Sequence, residues 1–196
     1  MMETLKKKYE LCNKCEYCIN SCKVFGHGNP KADIMVIGEG PGRTECETGV
    51  LFTGPAGQLL DKILAAINLK REELYFTNIV ACRTNEKNRT PSWIETQNCA
   101  ERLNEEMNII KPNIILMLGS PSLKRFFGRS SKVSESHGRW FMDFKPPYAR
   151  FFSLFHPSWA LHSSTADEMK AKKRTIWNDI KKFKDELDIT NFNLKE

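Results

Sequence analysis

Residues 38–60 read GEGPGRTECETGVLFTGPAGQLL and directly follow a short apolar run, IMVI, at residues 34–37. A short apolar run that ends in glycines predicts a buried strand. The glycines allow the chain to turn sharply, and Glu39 and Glu45 place two carboxylates beside the turn. Pro55 then begins a segment with apolar residues at helical spacing. This order of strand, glycine turn and helix predicts a pocket at the carboxyl end of the strand.

The glycine turn does not match the common nucleotide-binding patterns. It lacks the third glycine of the dinucleotide fingerprint, and no Gly-Lys-Ser or Gly-Lys-Thr follows it. Taken alone, the turn predicts only a pocket that contains an acid.

The length and charge of the chain limit its class. With 196 residues we expect one domain, 1–196, with a full-sized core. A formal net charge of +6 is compatible with nucleic acid binding. No apolar run approaches the roughly 20 residues of a membrane span, and no apolar segment follows the basic start. We therefore expect a cytoplasmic, intracellular protein, nucleoid-associated if prokaryotic. Its seven cysteines are then expected to be thiols or metal ligands rather than disulfides.

Apolar runs and helical periodicity alternate along the rest of the chain. Three further strands are predicted, at residues 74–80, 114–118 and 149–155. Three further helices are predicted, at residues 92–110, 120–128 and 167–187. Ile94 is expected to face inward, the last helix has an outer face rich in lysine, and residues 130–147 are expected to form a loop or irregular hairpin. Strands that alternate with helices predict an α/β sandwich on a mainly parallel sheet.

Six cysteines are candidate metal ligands. Four fall within eleven residues at the C-x2-C-x2-C-x3-C spacing of a bacterial ferredoxin: Cys12, Cys15, Cys18 and Cys22. Cys82 and Cys99 lie far down the chain. Because one site needs only four thiolates, the sequence offers more than one ligand set, and zinc is an alternative to an iron–sulfur cluster.

Three predicted strands end in chemically useful side chains. Glu39, Asn78 and His156 each lie at a carboxyl end. In a parallel sheet these ends meet at the same edge. We therefore predict a site that combines a carboxylate, a carboxamide and an imidazole.

Several ordered motifs resemble those of the family 4 uracil-DNA glycosylases. The first motif of that family is similar to GEGPG-x2-E followed by LFTGxAGQLL. The second is similar to TNIVxCR with a later NRxP, and the third is similar to His-Pro-Ser. The resemblance covers about residues 11–187. It implies a three-layer α/β/α sandwich on a four-stranded, mainly parallel sheet. It also implies a DNA repair enzyme that flips uracil out of DNA and hydrolyses its N-glycosidic bond, leaving an abasic site.

The resemblance implies roles in uracil recognition. Phe52 would stack on the base, and Asn78 would read its Watson–Crick edge. The backbone N–H of Gly40, with that of Glu39, would bind the O2 oxygen, and Glu45 would exclude the methyl group of thymine.

The resemblance also implies two catalytic residues. His156 would donate a hydrogen bond to O2 as negative charge develops there. Glu39 would stabilise the sugar cation and position water, as a carboxylate near its reference pKa of about 4.3.

The family binds a [4Fe–4S] cluster, which here would tie the N-terminal cysteine segment 11–23 to the core. Alignment with the family implies four ligands, Cys12, Cys15, Cys82 and Cys99. It leaves Cys18, Cys22 and Cys46 as thiols outside the cluster.

The implied partner is uracil-containing DNA, single- or double-stranded, and we expect a monomer that does not bind a membrane. Four residues are expected to contact DNA: Ser120, Ser158, Trp159 and Leu161. The sequence departs from the family where Cys46 replaces an aspartate. It also departs where Ala160 occupies the position of the usual leucine wedge.

Three alternatives stay open. A relative that traps DNA covalently uses a histidine after the second motif, but residues 83–90 contain none. A non-catalytic uracil-DNA binding protein would share the pocket. An iron–sulfur redox protein would need the cysteines but not Glu39, Asn78 and His156 on one edge.

Overall fold

The computed structural model describes residues 1–16, 21–84, 88–142 and 149–189. The strands of this part of the chain are β1 (His27–Gly28), β2 (Ile34–Gly38), β3 (Tyr75–Asn78), β4 (Ile114–Leu118), β5 (Arg139–Met142) and β6 (Arg150–Leu154). They form one sheet in the order β1-β3-β2-β4-β6-β5. The four central strands run parallel, and the two edge strands pair antiparallel with their neighbours.

The α-helices of the described residues are α1 (Met2–Glu10), α2 (Arg43–Thr48), α3 (Pro55–Ala65), α4 (Trp93–Asn98), α5 (Ala100–Ile110), α6 (Gly119–Phe127), α7 (Val133–Ser136), α8 (Pro157–Leu161) and α9 (Ala166–Ile189). A 3-10 turn at Arg71–Glu73 precedes β3. Among these helices, none combines the length and the apolar run that a bilayer crossing requires.

The strands β2 and β4 are buried at every position, as expected for central parallel strands. Alternate residues of β2 therefore supply two separate cores. Ile34 and Val36 pack with α3 and α9, whereas Met35 and Ile37 pack with α5 and α6 on the opposite face. The predicted α/β sandwich, with helices on both faces of a mainly parallel sheet, is confirmed.

The sheet has more strands than the four that were expected. The predicted four are its parallel centre, and β1 and β5 extend its two edges. The strand β5 lies where a loop or irregular hairpin was expected. Its side chains are half-buried or exposed, so its sequence carries no core pattern. Trp140 holds it in place, with its ring stacked 5.2 Å from that of Phe183. Residues 143–147 of the expected loop lie outside the described residues.

The helix predicted at residues 92–110 is two helices, α4 and α5, that meet at Cys99. Their buried residues Thr96, Leu103, Met107 and Ile110 nevertheless follow one helical face across this junction. Ile94 lies nine residues before Leu103, or two and a half helical turns, and therefore on the opposite face. It is 71% exposed, and the expectation that it faces inward is wrong. The helix predicted to follow Ser120 and to end at Gly128 is confirmed as α6, and the last predicted helix as α9.

Candidate active site

One cavity of about 320 Å³ opens at the carboxyl ends of β2, β3 and β6. Its walls include every predicted uracil-contacting and catalytic residue: Glu39, Gly40, Glu45, Phe52, Asn78 and His156. The predicted meeting of the three strand-end side chains is therefore confirmed. Their chemical roles stay predictions.

Phe52 enters the cavity through an uncommon backbone conformation. Its φ of 57° is in the left-handed region, which a bulky residue adopts only when its surroundings hold it there. A side chain at Gly57 would overlap the Phe52 carbonyl, so the small residue permits the turn. A Cβ atom at Gly38 would lie 2.7 Å from the Phe52 ring and 2.5 Å from Asn78 Oδ1. Only glycine at position 38 thus lets the aromatic ring and the carboxamide approach each other.

Arg71 stabilises the turn at Phe52 through hydrogen bonds to its backbone. Its guanidinium donates to the carbonyl oxygen of Leu51 at 2.5 Å and to that of Phe52 at 3.3 Å. The same group pairs with Asp61 at 2.7 Å. The left-handed backbone of Phe52 is therefore fixed by charge-assisted hydrogen bonds.

His156 caps the N-terminus of α8, and its hydrogen bonds define its tautomer. The backbone N–H of Ser158 donates to Nδ1 at 3.2 Å, and the Ser158 hydroxyl lies 2.7 Å from the same atom. A backbone N–H can only donate, so Nδ1 is an acceptor and the neutral ring carries its proton on Nε2. Burial lowers the pKa of His156 to about 4, with partial opposition from the Glu45 charge. The imidazole is therefore neutral near pH 7, with an N–H group at Nε2.

Burial raises the pKa of Glu39, and a hydrogen bond with the Thr90 side chain partly offsets the rise. The expectation that this carboxyl group has a reference pKa is therefore wrong, because the walls of the cavity remove it from bulk water.

The second acid, Glu45, is held by the backbone. Its Oε1 accepts a hydrogen bond of 2.9 Å from the N–H of Gly54, just before α3. The short helix α2 carries Glu45 and ends at Thr48, and Gly49 after it adopts a left-handed conformation. The carboxylate thereby forms a fixed part of the cavity wall.

A buried ionic network contacts the end of β3, where Asn78 lies. Arg102 of α5 donates to the Asn78 carbonyl oxygen at 2.5 Å and pairs with Glu106 at 2.5 Å. Glu106 also accepts from the Thr77 hydroxyl at 2.6 Å. Both ionic side chains are almost completely buried. Because the charges satisfy each other and the strand end, this network fixes the backbone that carries the Asn78 side chain.

The family model described as "Uracil DNA glycosylase superfamily" matches residues 25–181. The chain belongs to this superfamily. It is 33% identical to the type-4 uracil-DNA glycosylase of Sulfurisphaera tokodaii over 96% of the chain and 86% of the relative. It is 32% identical to the type-4 enzyme of Thermotoga maritima over 94% of the chain and 93% of the relative. For the type-4 enzyme of Archaeoglobus fulgidus the identity is 39% over 60% of the chain and 59% of the relative.

In this member of the uracil-DNA glycosylase superfamily, three of the four expected cluster ligands line one small cavity. Cys12, Cys82 and Cys99 surround a space of about 20 Å³ with the side chain of Arg102. Cys15 does not line that space. Among the described residues, no three His, Cys, Asp or Glu side chains are grouped closely enough to hold a metal ion.

Cys22 and Cys46 form a disulfide, with Cα atoms 5.6 Å apart. The expectation that both are thiols is therefore wrong, because the fold brings α2 against the N-terminal segment within bonding reach. The pairing also removes Cys22 from the ferredoxin-like ligand set. Cys18, the third member of that run, lies outside the described residues.

The expected DNA-contacting residues lie around α8 and at the start of α6. Ser158 lines the active-site cavity, while Ser120 of α6 and Leu161 of α8 are half-buried. Trp159 stacks on Phe155, with ring centroids 3.8 Å apart and planes inclined by 14°. Ala160 is completely buried. The assignment of Ala160 to the wedge position is therefore contradicted, since its methyl group belongs to the core.

Sequence reasoning missed three supporting residues. Thr90 lies in the NRxP segment, to which the motif assigned no role at position x. The Thr90 side chain forms a hydrogen bond with Glu39. Arg71 and Arg102 gave no signal, because single arginines do not reveal which distant carbonyl groups they will contact.

Proposed function

We propose that this chain is a uracil-DNA glycosylase, which hydrolyses the N-glycosidic bond of a uracil flipped out of DNA and leaves an abasic site. The observation that carries the proposal is the convergence of Glu39, Asn78 and His156 with Phe52 in one cavity. Membership in the uracil-DNA glycosylase superfamily supports the same reaction.

The walls of the cavity suit the uracil ring. Phe52 offers an aromatic face for stacking. The Asn78 carboxamide both donates and accepts, as the Watson–Crick edge of uracil requires. Glu45, fixed by Gly54, would lie against C5 and leave no room for a methyl group. We propose these three contacts as the basis of uracil selection.

Cleavage of the glycosidic bond develops positive charge on the sugar and negative charge on uracil O2. The proton on Nε2 makes neutral His156 a donor to that oxygen, and a donor in a buried site needs little reorganisation. Glu39 in its ionised form would stabilise the sugar cation and position the attacking water. Thr90 would keep the Glu39 carboxylate oriented and favour its charged form.

One assay separates this function from its alternatives. Single- and double-stranded oligonucleotides with one uracil are incubated with the protein and then treated with alkali. We expect free uracil and strand cleavage at the uracil position, and neither product from matched thymine or cytosine oligonucleotides. A protein–DNA adduct without free uracil would indicate a covalent trap, and binding without any product would indicate a non-catalytic binding protein.

We further propose that Cys12, Cys15, Cys82 and Cys99 hold a [4Fe–4S] cluster, with zinc as the less favoured metal. The donor set fits, since thiolates are the usual ligands of such clusters. An additional observation is that Arg102 lines the cysteine cavity and that its buried Nε has no hydrogen-bond partner among the described residues. A cluster sulfur would accept from it. When bound, the cluster would supply a cross-link between the N-terminal segment 11–23 and the remainder of the domain.

The segment is also joined to the domain by direct contacts. Lys14 pairs with Glu101 at 2.5 Å, and its carbonyl oxygen accepts from Asn98 at 2.8 Å. Lys23 bridges to Cys82 through the backbone. Lys14 thus lies beside the helices that flank Cys99, and Lys23 lies beside Cys82, which supports a metal site shared by these parts of the chain.

Cys99→Ser is expected to abolish iron binding and the visible absorbance of the cluster, and to lower the melting temperature. The lost thiolate leaves a cluster of thiolate ligands incomplete. Iron content, absorbance and thermal unfolding are measured on anaerobically purified protein.

Cys18→Ser and Cys46→Ser are the matched controls and should retain the iron. If Cys18→Ser loses the iron while Cys99→Ser keeps it, the ferredoxin-like ligand set is correct instead.

Trp159→Ala is expected to reduce uracil release from duplex DNA more than from single-stranded DNA. Flipping a base from a duplex costs a few kcal/mol of unstacking, which a side chain inserted into the gap offsets. Trp159 is already held by its stacking on Phe155, so little conformational freedom would be lost on insertion. Single-turnover rates on the two substrates measure the effect.

Leu161→Ala, tested in parallel, identifies which neighbour of buried Ala160 acts as the wedge. Equal losses on both substrates for Trp159→Ala would exclude it from that role.

A further inference from the structure

A second cavity, which shares no lining residue with the active-site cavity, lies between α3 and α9. It has a volume of about 480 Å³. Its floor is apolar and consists of Leu59, Ile63, Ile176 and Trp177. Its rim is basic and consists of Lys62, Lys170, Lys173 and Arg174. We name this feature the α3–α9 groove.

The basic rim and the aromatic residue of α9 follow one helical stripe. Lys170, Lys173, Arg174 and Trp177 have the i, i+3, i+4, i+7 spacing that aligns side chains on one face. Trp177 is 43% exposed, although the neighbouring Ile176 is buried. The lysine-rich face expected for this helix thus surrounds an apolar depression that the proposed glycosylase reaction does not use.

The positive charge of the rim is not neutralised within the described part of the chain. Elsewhere on α9, Lys172 pairs with Glu168 at 2.8 Å. None of the four rim cations takes part in an ion pair there, and no described carboxylate lines the groove. An apolar floor and an unmatched basic rim together are complementary to an acidic, amphipathic ligand.

We propose that the α3–α9 groove binds an acidic peptide segment of a partner protein, through a bulky aliphatic or aromatic side chain seated on its floor. Carboxylates that flank this side chain would face the rim cations. Short peptide segments are commonly bound in this way, with apolar anchors in a groove and charge at its edges. A groove between two helices of the fold is preformed, so binding requires little rearrangement of the protein.

The floor favours a peptide side chain over a nucleobase. A base could stack on Trp177, but the polar atoms of its edges would then be buried against Leu59, Ile63 and Ile176, none of which can form a hydrogen bond. An aliphatic or aromatic side chain has no such atoms to satisfy. Phosphates could pair with the rim, but they would leave the floor uncovered.

The test is a selection from a displayed library of random peptides of about a dozen residues, long enough to cross such a groove. Wild-type protein is the target, and Trp177→Ala protein is used for counter-selection. We expect enriched peptides that combine aspartate or glutamate with a bulky apolar residue. Affinities of a synthetic enriched peptide are then measured by fluorescence anisotropy.

Lys173→Glu and Trp177→Ala are each expected to lower the affinity for that peptide at least about tenfold. This size of effect is typical for a central interface residue. Lys182→Glu is the charge-matched control, since Lys182 lies on α9 but does not line the groove, and it should retain most of the affinity. Because Trp177 lies outside the active-site cavity, Trp177→Ala should keep the wild-type uracil-release rate. The result is therefore independent of whether the glycosylase proposal holds.

Two results would overturn the proposal. One is a selection that enriches no groove-dependent acidic sequence. The other is a Trp177→Ala or Lys173→Glu protein that binds the peptide normally but loses affinity for a labelled oligothymidylate, which would assign the groove to single-stranded DNA.

Discussion

Glu39→Gln is expected to lower the single-turnover rate of uracil release by at least roughly a hundredfold, while affinity for uracil-containing DNA stays nearly unchanged. Glutamine preserves the shape of the side chain and can keep a hydrogen bond with Thr90. It removes the negative charge that would stabilise the sugar cation, so the loss should affect the transition state and not the bound substrate. Rates and dissociation constants measured on the same oligonucleotide test the separation.

The pH dependence provides a second measurement on the wild-type enzyme. Burial raises the pKa of Glu39, so its ionised fraction falls on acidification at a higher pH than for an exposed glutamate. The rate should therefore decrease toward acid pH already above the usual glutamate range. The Glu39→Gln enzyme should lack this acid limb. A near wild-type rate for Glu39→Gln would show that Glu39 is not the catalytic carboxylate and would make Glu45 the candidate.

His156→Ala is expected to lower the single-turnover rate by roughly 10²–10³-fold, the usual cost of losing one donor to a developing oxyanion. The neutral ring donates through Nε2 because Nδ1 accepts from the backbone of Ser158. With a pKa of about 4, the imidazole stays neutral across the neutral pH range. We therefore expect the ratio of the wild-type rate to the His156→Ala rate to be constant from about pH 6 upward.

His162→Ala is the matched control, since His162 also lines the cavity but follows α8 and is exposed. Its rate should stay close to that of the wild type. A loss in His156→Ala that grows as the pH falls through about 6.5 would show that the charged imidazolium is the active form, contrary to the neutral ring that burial favours.

The sequence was sufficient to predict the centre of the fold and the three strand-end side chains that meet in the cavity. The central strands are uninterrupted apolar runs, and a parallel arrangement brings Glu39, Asn78 and His156 to one edge whatever the details of the loops. This part could be predicted because it depends on local pattern and on one topological rule.

The remaining features depend on tertiary contacts that a local pattern does not encode. The edge strand β5 is held by the stacking of Trp140 on Phe183 rather than by an apolar alternation. The pKa of Glu39 depends on which walls surround it. The Cys22–Cys46 disulfide depends on the distance between two segments that are 24 residues apart. Ile94 is an exception, because its position two and a half helical turns before Leu103 already places it on the opposite, exposed face.

The close approach at Gly38 limits how base selection in this enzyme could change by mutation. Any side chain at this position would be forced against both Asn78 and Phe52, since even a Cβ atom lies within 2.7 Å of each. The backbone at the end of β2 is therefore closed to sequence variation. Under the roles proposed for Glu45, Phe52 and Asn78, a descendant or an engineered variant would acquire a different base preference at those positions while keeping glycine 38. Libraries for altered specificity should accordingly vary those three positions and leave the strand end intact.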